Sequence, residues 1–123
     1  DNNAIILRYA DILLMYVEAM LEQADGVTTD PLAVQSFNSI RERAGLDPVS
    51  SVSREELRDE RRRELALEGL RHFDLLRWKT AKEVMNKLVT PGGACHFEDR
   101  YYVWPFPQSE MDINSNLDQK TGY

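Results

Sequence analysis

Two helix-forming segments near the start of the chain limit its fold more than any other feature. Over residues 8–23, apolar residues recur every three or four positions, which is the spacing of a helix face. A second helix is expected to begin at Asp30 and Pro31, because an aspartate side chain caps free backbone amides and proline fits the first helical position. Gly45 is expected to end it. The sequence therefore predicts a pair of antiparallel helices over residues 8–44.

The first of these helices carries apolar residues on more than one face, so we expect it to be buried on more than one side. The second contains Ala33 and Phe37, which match the Ala-x3-Phe element of tetratricopeptide repeats, although the spacing back to Tyr16 is too long for that repeat. Helical periodicity starts within a few residues of Asp1, which is typical of a segment of a longer chain. Standing alone, such a segment would expose apolar helix faces.

Further helices are predicted over residues 54–88. The first of them opens with a capping box, in which the side chains of Ser53 and Glu56 each bond the other residue's backbone amide. Gly69 is expected to end or kink this helix, since glycine is unfavourable in a helix interior. Residues 71–78 then continue as a short amphipathic helix.

The same region is dense in charge. Ten of the eleven residues from 54 to 64 are charged, five of each sign, which argues against a polybasic site. Glutamates recur at intervals of four, at Glu60, Glu64 and Glu68. We expect this face to form ion pairs with arginines of a neighbouring helix.

The end of the chain is expected to be irregular. Residues 101–104 favour β-structure, but Pro105 and Pro107 exclude a central strand. Over residues 97–123 we therefore predict an extended segment or ordered loop, followed by a short helical turn and coil. The predicted fold class is all-α, with an irregular, proline-containing C-terminal return segment.

Charge and hydropathy exclude some functions. Fifteen basic and twenty-one acidic residues give a net charge of −6, which argues against a general electrostatic grip on nucleic acid or an anionic membrane. No apolar run approaches the roughly 18 residues that a membrane-spanning helix needs. The single cysteine cannot form an internal disulfide. Nucleic acid is therefore not an expected partner.

Signals for catalysis or for a bound cofactor are weak. Pairs among Glu64, Glu68 and Asp74 could in principle serve as the acid and base of glycoside hydrolysis, but a helix rich in glutamate and arginine supplies such pairs routinely. Cys95 and His96 are two adjacent metal-ligand types without a second spaced pair to complete a zinc site. We predict no catalytic residue, no metal site and no cofactor.

Aromatic residues concentrate in one short segment. Five of the chain's eleven aromatic residues lie between positions 97 and 106. If this segment is extended, Tyr101 and Val103 face one side, and Tyr102 and Trp104 face the other. Core packing of at least one face is the favoured interpretation, and a platform on which sugar rings stack is the alternative.

Four separated blocks of the sequence, taken in order, resemble the C-terminal region of the SusD/RagB family. No single block is specific, but their shared order spans nearly the whole chain. Departures from the family pattern occur at Ser115 and at Lys120-Thr121, within the terminal coil. Each block includes one of the following runs: Leu7-Arg8-Tyr9-Ala10-Asp11, Arg41-Glu42-Arg43-Ala44-Gly45, Arg71-His72-Phe73-Asp74 and Trp104-Pro105-Phe106-Pro107.

The resemblance implies a SusD-like fold of tetratricopeptide-like helix pairs, with residues 1–123 forming the C-terminal part of the domain. It implies a surface-exposed outer-membrane lipoprotein that captures oligosaccharides or polysaccharides and delivers them to a SusC-like TonB-dependent transporter. Membrane attachment would come only from an N-terminal lipid anchor outside this chain, so Cys95 would not be the anchor. Family members bind sugar largely through other parts of the chain, so no carbohydrate-binding residue is assigned.

The sequence is compatible with three functions. The first is a scaffold and transporter-contact role within a glycan-binding lipoprotein that is not an enzyme. The second is a free-standing, tetratricopeptide-like module that binds a protein or peptide. The third is a glycoside hydrolase using Glu64, Glu68 or Asp74, which predicts turnover of a sugar substrate.

Overall fold

The computed structural model describes residues 6–123, and positions 1–5 lie outside that part. The chain divides into two compact units, a first unit ending at Arg71 and a second unit covering residues 72–123. Within the described residues, no helix is both long and apolar enough to cross a bilayer. The elements are, in chain order, α1 (Tyr9–Gln23), β1 (Val27–Thr28), α2 (Pro31–Arg43), β2 (Val52–Ser53), α3 (Arg54–Glu64), α4 (Arg71–Arg77), α5 (Ala81–Met85), β3 (Val89–Thr90), β4 (Gly93–Ala94), a 3₁₀ helix (Asp99–Tyr102) and α6 (Gln108–Ile113).

The capping signals of α2 and α3 act as predicted. The Asp30 carboxylate accepts a hydrogen bond from the Ala33 amide at 2.8 Å, with proline at the first helical position. At the other end of α2, Gly45 has a φ of +74°, a conformation that glycine adopts without strain. The Leu46 amide then donates to the Arg41 carbonyl at 2.9 Å, which closes the last turn. The capping box of α3 is also complete.

The core of the first unit lies between α1, α2 and α3. Only one side of α1 is buried in this chain, so the expectation of burial on more than one side is wrong here. Leu14, Val17 and Leu21 face the core, whereas Tyr9 and Met15 are exposed. The buried apolar residues of this core are Leu14, Val17, Leu21, Ala33, Phe37, Ile40, Val52, Leu57 and Leu65.

Helix α3 ends at Glu64, well before Gly69, where the sequence predicted its end or a kink. The reason is a long-range hydrogen bond. The Glu64 carbonyl accepts from the Arg8 guanidinium at 2.6 Å, so the Glu68 amide bonds the Leu65 carbonyl instead. The chain therefore leaves the helix one turn early, and Leu65 turns into the core.

The loops contain two small antiparallel strand pairs, which the sequence did not predict. Strands β1 and β2 are antiparallel, with Thr28 opposite Val52, and they bring the start of α3 beside the α1–α2 loop. Strands β3 and β4 form a hairpin around Pro91 and Gly92. The molecule is nevertheless mostly helical, which confirms the predicted fold class.

Side-chain amides hold three irregular segments in place. In each case the side-chain amide makes two hydrogen bonds to one distant backbone residue. Its oxygen accepts from that residue's N–H, and its nitrogen donates to that residue's carbonyl, as a neighbouring strand would do. The donor–acceptor distances lie between 2.6 and 3.2 Å. We call these contacts amide clamps. They pair Asn38 with Val49, Asn86 with Phe97, and Gln119 with Phe106.

The second unit has a small core. Leu75, Ala81 and Phe97 are buried together. Residues 99–102 form a 3₁₀ helix where the sequence favoured an extended segment or ordered loop. Tertiary packing overrides β-propensity here, because both Tyr101 and Tyr102 turn their rings toward Phe97. The predicted helical turn after Pro107 is present as α6.

Candidate functional site

The acidic face predicted around α3 is an ion-pair cluster centred on Arg8. The Arg8 guanidinium donates to the Glu68 carboxylate at 2.9 and 3.0 Å and to the Glu64 carboxylate at 2.9 Å. Arg43, from α2, also pairs with Glu64. The Arg43–Glu64 contact confirms the expectation that this face pairs with an arginine of a neighbouring helix, whereas Arg8 lies just before α1.

Electrostatics within this cluster reinforce the pairing. Hydrogen bonds from Arg8 to Glu68 and then to Glu64 raise the pKa of the arginine above its ordinary value. The guanidinium therefore stays charged at every relevant pH and fixes both carboxylates in position. One arginine thus joins the start of α1 to the end of α3 and to the turn that follows.

A second ion pair between these helices is fully buried. Arg61 of α3 donates to the Asp11 carboxylate of α1 at 2.8 Å, and their side chains are only 4% and 9% exposed. Both charges are largely removed from bulk water, so their mutual attraction offsets part of the cost of burying them. This pair locks α1 against α3.

The three carboxylates considered for hydrolysis are held by arginines. Glu64 and Glu68 share the Arg8 guanidinium. Asp74, in α4, lies 2.8 Å from the Arg77 guanidinium. Carboxylates held in this way suit structural ion pairing better than proton transfer, since a general acid must be free to carry a proton.

The two potential metal ligands differ in exposure. Cys95 is partly buried, and His96 is largely exposed and lies 3.3 Å from the Glu98 carboxylate. Across residues 6–123, no group of three or more cysteine, histidine or acidic side chains has a metal-binding arrangement. The histidine lies instead at the surface of the second unit.

The aromatic segment splits into a buried part and an exposed part. Phe97 is buried and makes edge contacts with Tyr101 and Tyr102, at ring-centre distances of 5.7 and 5.0 Å. Trp104 is 72% exposed. The predicted alternation is therefore wrong, because Tyr101 and Tyr102 both belong to the 3₁₀ helix. Core packing and an open aromatic surface are both present.

Two neighbouring cavities open on this part of the second unit. The first, which we call the aromatic cavity, has a volume of about 380 Å³. The second, which we call the polar cavity, has a volume of about 520 Å³ and is lined mainly by charged and amide side chains. His96 and Phe97 line both cavities. The walls of the aromatic cavity include His72, Met85, Tyr101, Val103, Trp104 and Tyr123.

Sequence reasoning missed the polar cavity and the amide clamps. Asn86 and Gln119 looked like ordinary polar residues, because a clamp depends on a backbone segment 11 or 13 residues away. Lys82 and Asp99 pair at 2.7 Å only because α5 and the 3₁₀ helix are brought together. The concentration of aromatics between residues 97 and 106 was the one signal that pointed to this surface.

Comparison with known proteins places the whole chain in one group. The sequence matches the family model described as the SusD family over residues 1–123. It is 33% identical over 129 residues to the starch-binding protein SusD of Bacteroides thetaiotaomicron, an alignment that covers 100% of this chain and 22% of that protein.

Solved structures agree with this match. A SusD-like protein from Bacteroides fragilis has a TM-score of 0.81 and 36% identity, over 98% of this chain and 26% of that one. A laminarin-binding SusD-like protein has a TM-score of 0.76 and 27% identity, over 98% and 23% of the two chains. The chain therefore spans about a quarter of the length of the proteins it matches.

Proposed function

The chain belongs to the SusD family, and we propose that it is the C-terminal part of a longer surface protein that captures glycans. The observation that carries the proposal is the match over the entire chain, with relatives that are starch-binding and laminarin-binding proteins. Much of this chain would then be scaffold. The Arg8 cluster and the buried Asp11–Arg61 pair fit that role, because both join helices of the first unit.

Capture would be followed by transport. We propose that the protein is held at the outer membrane, on the cell surface, by an N-terminal lipid outside this chain. It would hand its glycan to a TonB-dependent transporter, for which the helical scaffold offers a docking surface. Family membership supports this proposal. The greater length of the relatives also favours it over a free-standing interaction module.

Bond cleavage is not part of the proposed mechanism. The carboxylates that could have served as acid and base are engaged by Arg8 and Arg77. The protein would bind its glycan through hydroxyl and ring contacts and release it unchanged. Binding energy alone would then set which glycans are retained at the surface.

Calorimetric titration of the full-length protein tests capture directly. We expect maltoheptaose or laminarihexaose, as probes for starch-like and laminarin-like glycans, to bind and to be recovered intact. Absence of binding to both, and to a wider oligosaccharide panel, would contradict glycan capture. New reducing ends after incubation, abolished by Glu64→Gln or Asp74→Asn, would instead support hydrolysis.

Transporter docking needs a separate test. Full-length protein immobilised through its N-terminus is exposed to detergent-solubilised outer membranes, and retained proteins are identified by mass spectrometry. We expect a TonB-dependent transporter to be retained. Retention of other proteins alone would contradict delivery to such a transporter while leaving glycan capture intact.

A further inference from the structure

We propose that the aromatic cavity and the polar cavity of the second unit together bind a neutral sugar ring of a glycan. This inference rests on the proposed function, since it names a place on this chain where a captured glycan makes contact. It also goes beyond a scaffold role for residues 72–123.

The walls of the aromatic cavity suit the apolar face of a pyranose ring. Trp104 is 72% exposed, and Tyr101 and Tyr123 are exposed beside it. The C–H groups on one face of a sugar are apolar, and an indole or phenol ring offers a flat surface of matching size. A volume of about 380 Å³ lies within the range of small-ligand sites.

These walls are held in place before any ligand arrives. The Tyr123 hydroxyl is the donor to two carbonyl oxygens, that of Val103 at 3.0 Å and that of Arg100 at 3.1 Å. The Arg100 guanidinium donates to the Tyr101 hydroxyl and to the Gly122 carbonyl, both at 3.1 Å. One arginine therefore ties the C-terminus to the 3₁₀ helix. A preformed wall reduces the entropy lost on binding.

Gly122 allows this close approach. Its φ is +100°, and a Cβ at this position would lie 3.1 Å from the Cβ of Arg100. A larger residue would therefore push the terminal Tyr123 away from the cavity that it lines. The glycine and the arginine themselves line the polar cavity, next to the Tyr123 that lines the aromatic one.

The adjoining polar cavity suits the hydroxyl edge of the same ring. Its walls carry Lys82 and Asp99, paired at 2.7 Å, and Glu98 and Arg100, paired at 2.9 Å. Surface carboxylates keep spare lone pairs and an ammonium group keeps spare protons, so both can bond hydroxyl groups. His96 lies between the two cavities with its ring largely exposed.

The balance of charge selects a neutral ligand. The two cationic and two anionic side chains of the polar cavity cancel in net charge. Glu98 and Asp99 would repel an anion, and Lys82 and Arg100 would repel a cation. A purely apolar ligand would leave this edge without hydrogen bonds. A neutral, polyhydroxylated ring with one apolar face satisfies both cavities.

The test follows Trp104 directly in the full-length protein. The protein is labelled with 5-fluorotryptophan, and the ¹⁹F resonances of Trp104 and Trp78 are assigned as those missing from Trp104→Phe and Trp78→Phe variants. Maltoheptaose and laminarihexaose are then titrated. We expect the Trp104 resonance to move saturably with at least one sugar. Trp78, which does not line the aromatic cavity, is the internal control.

Two variants give the matched comparison. Tyr101→Ala removes a wall of the aromatic cavity and is expected to weaken the titration at Trp104 about five- to tenfold. Tyr9→Ala removes an aromatic ring of similar exposure to Trp104, 75% against 72%, from the first unit. It is expected to leave that titration unchanged.

The outcomes separate the two proposals. Calorimetric binding with an unmoved Trp104 resonance overturns the second-unit site and leaves glycan capture standing. Equal effects of Tyr101→Ala and Tyr9→Ala also overturn the site, because the loss would not be local. A Trp104 resonance that stays fixed, together with no calorimetric binding, overturns both the site and glycan capture. Saturable movement lost in Tyr101→Ala alone supports both.

Discussion

The two units of this chain are stabilised in different ways. Within the described residues, nine buried apolar side chains form the core of the first unit, and three form that of the second. The second unit compensates with amide clamps and backbone contacts that hold irregular segments in fixed positions. The first unit therefore depends on the larger apolar core, whereas hydrogen bonds fix the segments of the second unit around an exposed Trp104.

One ion pair from each unit illustrates a contrast in charge burial. In the first unit, the Asp11–Arg61 pair lies inside the protein, where removal of one partner leaves a buried charge. In the second unit, the Lys82–Asp99 pair is exposed, with half or more of each side chain accessible to water. Exposed pairs contribute little to stability. They remain free to bond a ligand, which agrees with a scaffold in one unit and a binding surface in the other.

Breaking the buried pair should have the largest effect. Arg61→Ala leaves the Asp11 carboxylate buried without its partner, and we expect the free energy of unfolding to fall by about 3–5 kcal/mol. Urea unfolding followed by circular dichroism measures this change. The double variant Asp11→Leu with Arg61→Met should recover most of the loss. A loss below about 1 kcal/mol for Arg61→Ala would show that the pair does not lock α1 to α3.

Truncating one phenylalanine in each unit compares the two cores. Phe37 and Phe97 are 1% and 5% exposed. We expect Phe37→Ala to cost about 4 kcal/mol and Phe97→Ala about 2–3 kcal/mol, because the smaller core can collapse further onto the vacated space. Denaturant unfolding monitored separately by exchange of amides in each unit measures both. Equal costs would mean that the second unit is as tightly packed as the first.

The amide clamps provide a finer comparison. Asn38→Ala and Asn86→Ala each remove two hydrogen bonds to one backbone residue, at an expected cost of about 1–2 kcal/mol. Hydrogen exchange should then rise at the Val49 amide for the first variant and at the Phe97 amide for the second. Ser39→Ala, beside Asn38 but outside the clamp, is the control. Unchanged exchange at both amides would contradict the clamp interpretation.

The capping box of α3 gives the smallest effect and a defined pH dependence. Hydrogen bonds from the Ser53 hydroxyl and backbone amide hold the pKa of Glu56 below its ordinary value. This stabilisation is therefore present above the pKa of the unfolded chain and is lost as the pH falls through the lower folded-state pKa. Because the carboxylate is exposed, we expect Glu56→Gln to cost only about 0.5 kcal/mol at pH 7.

That cost should disappear in acid, once the pH has fallen below the lowered folded-state pKa and the wild-type carboxyl is protonated as well. Chemical unfolding of both proteins at several pH values measures the difference. A difference that persists unchanged in acid would show that the charge of Glu56 plays no part in the cap. Glu55→Gln, one residue away and outside the capping box, is the control.

Features encoded by neighbouring residues were predictable from the sequence. The caps of α2 and α3, the glycine that ends α2 and the acidic face of α3 all depend on residue types and short spacings. The family resemblance also rested on short runs of neighbouring residues. Features that depend on distant residues were not predictable. Helix α3 ends early because Arg8, 56 positions away, donates a hydrogen bond to the Glu64 carbonyl.

The candidate site follows the same rule. The concentration of aromatics was visible in the sequence, but the division into a buried Phe97 and an exposed Trp104 depends on tertiary packing. Backbone alternation failed for Tyr101 and Tyr102 because a 3₁₀ helix replaces the extended segment. The polar cavity required the pairing of Lys82 with Asp99, which no local pattern encodes.

Hydrogen–deuterium exchange of the full-length protein, with and without saturating glycan, tests the division of labour between the two units most directly. Peptides are compared across this chain under identical conditions. We predict slower exchange in peptides covering residues 96–103 when glycan is bound, and no change in peptides from α1 and α2. Slower exchange in α1 and α2, with none over residues 96–103, would contradict a scaffold in the first unit and a binding surface in the second.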